Sequence, residues 1–498
     1  MYALYSSLFD ILDRNILLFP RFAGGMQRVL QLVRLKNRSL GVAAENKNEN
    51  SGEKIMLGCT YGTMFQTTVA GGSYQEGLTV HLQGVPPGLY ITEAEIYAAL
   101  LTRKPGQSEL ASPRREPDVP IIYSGVNAAD TMPGFANKGY TNGTPFVILI
   151  PNLDRHFVHI EQYQTTNRTP RPGHASYASY LKYGEWDDSI GAGFFSGRYT
   201  STIVAAGAVA RRILKKHGIE IFSYVKEAAG IRMPDVPVEE ARAKVDKFRE
   251  VRRDYDPIYQ WLFADGRYTP DLRFLEKVAV LTELEKNLIA IQDKGRKMDA
   301  GAISKEHGVH PTMNCPDVDT AFAMEKRILE IRDEGDSSGG LVEVVATGLP
   351  VGLGEPVFRK LDGELGRMMS IGTIKAVEIG AGYAVKDMRG SECNDQIRAK
   401  DGKVYFESNN AGGVTGGLAT GQTLVARLAV KPTPTIAKDQ HTIDKVSLEN
   451  AKLSAVTRRD PTIVARVWPV AEAFASLTLL DLYAQHLGYR ALWCPDQK

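Results

Sequence analysis

The sequence predicts an α+β fold in which strands dominate the middle of each half and helices lie between them. Three observations carry that expectation. Threonine, valine and aromatic residues reach strand density in TYGTMFQTTV from Thr60 and in GLTVHLQGV from Gly77. Apolar positions at helical spacing recur in several later segments. Glycine alternates with short β-branched runs from Gly335 to Val385. The two halves have similar composition, and no short-period repeat is visible.

The first strands end at the PPG turn of Pro86 to Gly88. ITEAEIYAALLTRK then reads as a helix, with Thr92 as N-cap and Glu95 closing a capping box. A second helix is expected over residues 197–218, with Val204, Ala208, Ile213 and Leu214 on its apolar face and Gly218 as its stop. After Asp235 the pattern changes to lysine-, arginine- and glutamate-rich helical runs through about Met298. Phe274, Val278, Leu281 and Leu284 take the apolar positions there. Residues 236–311 therefore read as a charged helical insertion, used for packing or for contact between subunits. A helix from Asp317 to Asp333 keeps Ala321, Met324, Ile328 and Ile331 on one face. The last helix, Val470 to Gly488, is strongly apolar and expected to be buried, ahead of a tail over residues 490–498.

With 498 residues, 43% of them hydrophobic, the chain has enough for one large core or two ordinary ones. A net charge of +2 gives no global field for nucleic acid or an acidic membrane, so clustered arginines read as a local anion site. Cys59, Cys315, Cys393 and Cys494 are scattered without a CxxC pair or metal-ligand spacing, as expected of free thiols in a reducing compartment. No apolar run approaches the ~20 residues that span a bilayer, so a soluble protein is expected. Residues 1–52 mix Ile16, Leu17, Leu18 and Phe19 with arginines and then turn polar. They read as an N-terminal extension, from a mis-assigned start or as an organelle-targeting segment.

The chemistry concentrates in a few blocks. In the glycine-rich stretch, Asp336, Glu343, Glu355 and Glu378 sit between the short runs, and the glycines let backbone approach a ligand. From Glu407 the chain reads ESNNAGGVTGGLATGQTLVARLAVKPTPTI. The glycine pairs 412–413 and 416–417 are expected to turn successive N–H groups toward an anion. Lys431 ends the next strand as a cation beside that nest, and Pro432 and Pro434 stiffen the turn after it. Arg458, Arg459, Asp460 and Pro461 precede Arg466. Upstream, RPGHASYASYLKYG places His174 just after a Pro-Gly turn.

In this order the blocks closely resemble chorismate synthase, a family of enzymes that use reduced flavin mononucleotide (FMN) to eliminate phosphate from 5-enolpyruvylshikimate 3-phosphate. The resemblance covers roughly residues 53–235 and 312–489 and implies the family's β-α-β sandwich, a homotetramer and a cytoplasmic shikimate-pathway lyase. It implies a redox-neutral 1,4-elimination: reduced flavin lends electron density, a proton leaves ring carbon six, and phosphate leaves carbon three. Some members reduce the flavin with NADPH. Guanidinium groups suit the anions, and a histidine suits proton control near neutral pH.

Carried over residue by residue, Lys431, Pro432, Thr433, Pro434 and Thr435 match the family's flavin-binding turn. Gly416, the dipeptide Gly372 and Thr373, and Arg458 match further flavin contacts. Ser196 and Gly197, in GAGFFSGRYT, fit the form of another motif of that site. Asp460 matches an acid proposed to help deprotonate substrate, and His174 an acid near the leaving phosphate. Arg103, in TRKPGQS, matches an arginine facing substrate phosphate and pyridine nucleotide, and Arg198 completes the substrate set.

Departures cluster in the N-terminal half. Gly71, Gly72, Ser73, Tyr74 and Gln75 stand where the family reads Gly-Glu-Ser-His-Gly. Tyr74 thus replaces a catalytic histidine, and a phenol of pKa near 10 is a poor proton reservoir at neutral pH. Ile190, Ala192 and Phe194 depart in the glycine-triplet motif, Arg459 replaces a histidine, and Glu109 an arginine. One reading is a working lyase with a rearranged proton-transfer set. Others are a member that keeps the flavin pocket but has altered or lost the reaction, and an interaction protein working through the charged insertion.

Overall fold

Period-two burial builds the first sheet. The computed structural model describes residues 58–106, 108–111, 114–130, 134–153, 168–188, 190–294, 299–454 and 460–491. Strands β1 (Thr60–Tyr61) and β2 (Gln66–Gly71) lead to β3 (Gly77–Gln83). In β3, Leu78, Val80 and Leu82 are buried while His81 and Gln83 face outward. With β4 (Ile121–Ser124) and β5 (Phe146–Pro151) these form an antiparallel sheet of order β1-β2-β3-β5-β4.

The C-terminal half supplies the second sheet. Its early strands are β6 (Glu220–Ala228), β7 (Ile231–Arg232), β8 (Gly340–Thr347) and β9 (Ile374–Ile379). Hairpins β10–β11 (Ile397–Lys400, Lys403–Phe406) and β12–β13 (Val414–Thr415, Leu418–Ala419) precede β14 (Leu424–Val430). The antiparallel order is β7-β6-β8-β14-β9. A last hairpin, β15–β16 (Gln440–Ile443, Asn450–Leu453), follows.

Between the sheets lie helices. α1 (Glu93–Leu101) starts as expected, with Thr92 Oγ1 accepting from the Glu95 N–H at 3.3 Å. After α2 (Ser176–Tyr183) comes α3 (Thr200–Lys216), which buries Val204, Val209, Ile213 and Leu214. The expected insertion includes the longer helices α4 (Val238–Asp254), α5 (Phe274–Lys294) and α6 (Ala300–His307). α7 (Val318–Asp333) is capped by Asp317, and α8 (Val464–Ala491) closes the fold. α8 starts six residues before the expected Val470, because Pro469 lies inside it. An interior proline normally ends a helix, which is why the sequence pattern hid this turn. α3 and α8 pack tightly between the sheets: a Cβ at Gly207 would stand 2.3 Å from the Ala473 Cβ. The result is a β-α-β sandwich.

Residues 236–311 are packed into this body. Val245 and Phe248 join the main core, and Ile258, Leu262, Tyr268, Leu281, Leu284 and Leu288 pack with Tyr97, Leu101, Val119 and Ile121. Buried ion pairs Lys104–Asp256 and Lys277–Glu93 tie the segment to α1 and the turn after it. Most of the charge of its sequence lies on outward faces, with Arg252, Asp256 and Lys277 buried. Residues 1–52 and the end of the tail lie outside the described residues. Among the described residues no helix is long and apolar enough to cross a membrane, and no side-chain cluster suits a metal ion.

Candidate active site

β14 delivers the first part of the site. Its strand ends at Val430, and the Lys431 N–H donates to Thr373 O at 2.9 Å, which joins the KPTPT turn to the Gly372–Thr373 dipeptide. Thr373 holds φ +82°, a costly conformation for a β-branched residue and of the kind that clusters at functional sites. The Lys431 ammonium donates to Gly173 O, so the RPGH turn lies on the same spot. Burial and then Lys375 lower the Lys431 pKa.

His174 is half-buried here. Its Nδ1 accepts from the Ser176 N–H at 3.2 Å, and Arg171 approaches Nε2 at 3.4 Å while reaching Thr435 Oγ1 at 3.4 Å. A guanidinium and a backbone N–H only donate, so each ring nitrogen faces a donor. Burial, followed by Arg171 and Lys431, lowers the His174 pKa to about 4. At neutral pH the ring is therefore uncharged.

Thr433 Oγ1 donates to the Asp460 carbonyl at 2.7 Å, bringing the C-terminal block against the turn. Arg466 then links inward, donating to Asp460 Oδ1 at 2.9 Å and to Arg103 O at 3.0 Å. Arg103 and Arg198 both pair with Asp118, which is fully buried. Arg103 also donates to Thr200 Oγ1 and Gly197 O, each at 2.9 Å. Arg198 reaches Asn152 Oδ1 at 2.9 Å and Glu116 at 3.3 Å. Burial raises the Asp118 pKa, but Arg198, Arg103 and Arg466 outweigh it and hold the carboxyl below its usual range. Burial pulls Arg103 down to about 10 against the opposing pull of Asp118.

The N-terminal loop closes the far end. Asn152 Nδ2 donates to Gly72 O at 2.9 Å and Gln75 O at 2.8 Å, and Ser196 Oγ lies 3.2 Å from Ser73 Oγ. Tyr74 hangs from this loop with its hydroxyl 3.2 Å from Arg114, whose guanidinium also lies 5.7 Å from the ring centroid. Phe194 stacks on Tyr199 at 4.9 Å, and Glu109 pairs with Arg332 at 2.7 Å. These departures from the family pattern each have a structural partner.

Two expectations change. The anion nest at Gly412–Gly413 is absent: Gly412 N–H donates to Asn409 O at 3.1 Å and Gly413 N–H to Asn409 Oδ1 at 2.8 Å. Asn409 consumes both donors. Gly416 and Gly417, at φ +64° and +90°, instead turn β12 into β13, as a two-residue hairpin requires. That hairpin adjoins the Leu424 end of β14, whereas Lys431 follows its other end, about 20 Å along the strand. Arg458 and Arg459 lie outside the described residues.

Among the described residues, two hydroxyls beside the turn, Thr373 Oγ1 and Ser338 Oγ, are buried without a hydrogen-bond partner. An unpaired buried hydroxyl costs about 1–3 kcal/mol, so this edge of the site suits a ligand rich in oxygen. Lys431 and Arg171 supply positive charge beside it.

The chorismate synthase family model matches residues 65–484, a span that includes residues 236–311. The chain belongs to the chorismate synthase family. It is 35% identical over 454 residues to the chorismate synthase of Acetivibrio thermocellus, covering 88% of this chain and 97% of that one. With the chorismate synthase of Methanosarcina mazei it shares 36% identity over 427 residues, 86% and 96% of the two chains. A crystal structure of chorismate synthase superposes with a TM-score of 0.55 over 86% of this chain and 94% of that chain, at 24% identity. That likeness shows the shared fold. The chain is thus an enzyme of this family. Sequence reasoning missed Asp118, Asn152 and the partners of Arg171 and Arg466. Arg171 stood inside the quoted RPGH motif and Arg466 inside the C-terminal cation cluster, but neither motif says which carboxylate or carbonyl each would meet.

Proposed function

We propose that the protein converts 5-enolpyruvylshikimate 3-phosphate to chorismate by a 1,4-elimination dependent on reduced FMN, in the shikimate pathway. One observation carries the reading: hydrogen bonds and ion pairs run unbroken from Thr433 through Asp460, Arg466 and Arg103 to Asp118 and Arg198. That path joins residues more than 300 positions apart in a chain of the chorismate synthase family.

FMN fits the donor set at the KPTPT turn. Lys431 and Arg171 would face its phosphate, and the Thr373 and Ser338 hydroxyls would gain the partners they lack. A Cβ at Gly372 would meet nothing within 4 Å, which leaves an open flank there. Bound reduced flavin supplies transient electron density to the substrate. Around it, Asp460 stands ready to accept a proton, oriented by Arg466 at 2.9 Å. His174 stays uncharged and holds the Arg171 guanidinium at 3.4 Å from Nε2. Arg103 and Arg198 already have every guanidinium nitrogen engaged by the protein. To clamp substrate phosphate they must exchange a protein acceptor for a substrate oxygen. Lys431 and Arg171 are the cations an incoming anion meets first. The family's tetramer belongs to the same proposal, and the exposed Val357 and Phe358, 68% and 96% accessible, offer apolar surface for it.

Flavin fluorescence titration should show FMN binding to the wild type and about tenfold or weaker binding to Lys431→Ala, the loss of one charge-assisted contact. Anaerobic incubation with reduced FMN and substrate should release phosphate, and Asp460→Asn should slow that by about 10²–10⁴ without losing flavin. Flavin binding without any phosphate release by the wild type would instead favour a member with an altered reaction. Tyr74, engaged by Arg114, is the position to restore to histidine in that case.

A further inference from the structure

Helices α1, α3, α4 and α8 enclose a cavity of about 220 Å³ that takes no part in the network above. Glu472 of α8, only 2% exposed, sits at its inner end. Arg211 of α3 donates to Glu472 Oε1, and Arg249 of α4 donates to Oε1 at 2.6 Å and Oε2 at 2.5 Å. Ser223 Oγ adds a further donor at 3.1 Å. Two guanidinium groups therefore share one buried carboxylate.

Glu95 and Asp246 also act on Arg211, but from more exposed positions than Glu472. Glu95 is paired with Arg212 at 3.4 Å and Glu250 with Lys247 at 3.1 Å. Asp246 reaches Arg249 at 3.5 Å but is 58% exposed, so water and salt screen it. Burial and then the neighbouring Arg211 pull the Arg249 guanidinium down to about 9, as crowded like charges do. Facing these groups, Ala98, Ala208, Ala473 and Trp468 form an apolar wall of mostly small side chains. The volume corresponds to about seven waters at ~30 Å³ each, or one small organic molecule.

We propose that this cavity binds a small organic carboxylate, its carboxyl group held by Arg211 and Arg249 and its apolar body against Ala98, Ala208 and Trp468. The apolar wall selects an organic body over a bare inorganic anion, because that wall offers no hydrogen bonds to replace lost water. The cavity backs onto the candidate active site: Thr102 lines it and precedes Arg103, and Trp468 lies two residues from Arg466.

Calorimetric titration of the full-length protein with benzoate and its neutral isostere benzamide tests the proposal. Benzoate should bind saturably, and benzamide at least about tenfold more weakly, the worth of a charge-assisted pair. Arg211→Gln should weaken benzoate by a similar factor. Ala208→Phe, which fills the space without touching a charge, should abolish binding and keeps the test decisive if Arg211→Gln fails to fold. No saturable benzoate binding by the wild type, equal affinity for benzamide, or unchanged binding by Ala208→Phe would each overturn the proposal.

Discussion

Asp118 is the residue whose loss should reach furthest. It is fully buried between Arg103 and Arg198, and Arg103 is in turn held through its carbonyl by Arg466. Asp118→Asn keeps the shape but removes the charge that two buried guanidiniums share. Removing one partner of a buried ion pair typically costs about 3–5 kcal/mol, because the remaining charge stays desolvated. Glu116, 3.3 Å from Arg198, compensates in part, so we expect about 3 kcal/mol. Against a total stability of about 5–15 kcal/mol, that is a large and readable loss. Urea unfolding followed by tryptophan fluorescence should show a clear drop in the midpoint, with turnover falling as Arg103 and Arg466 shift. The pH dependence has a definite sign. The Asp118 pKa is depressed, so its contribution is complete above the unfolded value of about 3.9 and disappears as pH falls through the lower folded value. Wild type and Asp118→Asn should therefore converge in strong acid. A variant that unfolds at the wild-type midpoint at pH 7 would refute this account of the arginine pair.

Other expectations are quickly checked. In an NMR titration of the free protein the His174 ring should stay neutral to about pH 4, and its pKa should rise when inorganic phosphate is added. Because the unfolded histidine protonates first, near pH 6.5, the His174 contribution should weaken the fold as pH falls from there toward 4. Gly207→Ala should destabilise by about 1–3 kcal/mol in thermal unfolding despite alanine's better helix propensity, since its Cβ would meet Ala473 at 2.3 Å. Thr373→Gly should leave stability unchanged or raise it by about 1 kcal/mol, by releasing the φ of +82°, yet weaken flavin binding by removing a hydroxyl.

Much of the site was legible because motif residues carry their own local geometry. The KPTPT turn, the RPGH turn and the Thr92 cap each depend on neighbours a few positions away, and the chain folds them as written. The glycine pair 412–413 misled for the same local reason: positive φ was readable, but Asn409's claim on the freed N–H groups was not. Residues 236–311 read as a charged helical segment used for packing or subunit contact, but composition could not show that Ile258, Leu262 and Leu284 pack with Tyr97 and Leu101 of α1.

By itself the sequence determined the α+β class, most helices and the KPTPT and RPGH turns, because periodicity and turn chemistry act over short distances. Only the tertiary structure decided that Asp118 joins Arg103 to Arg198, that Arg466 links Asp460 to Arg103, and that Gly416 sits at the opposite end of β14 from Lys431. The physical reason is that a buried charge must find a counter-charge wherever packing places one, and strand pairing across distant segments, rather than local pattern, sets that place.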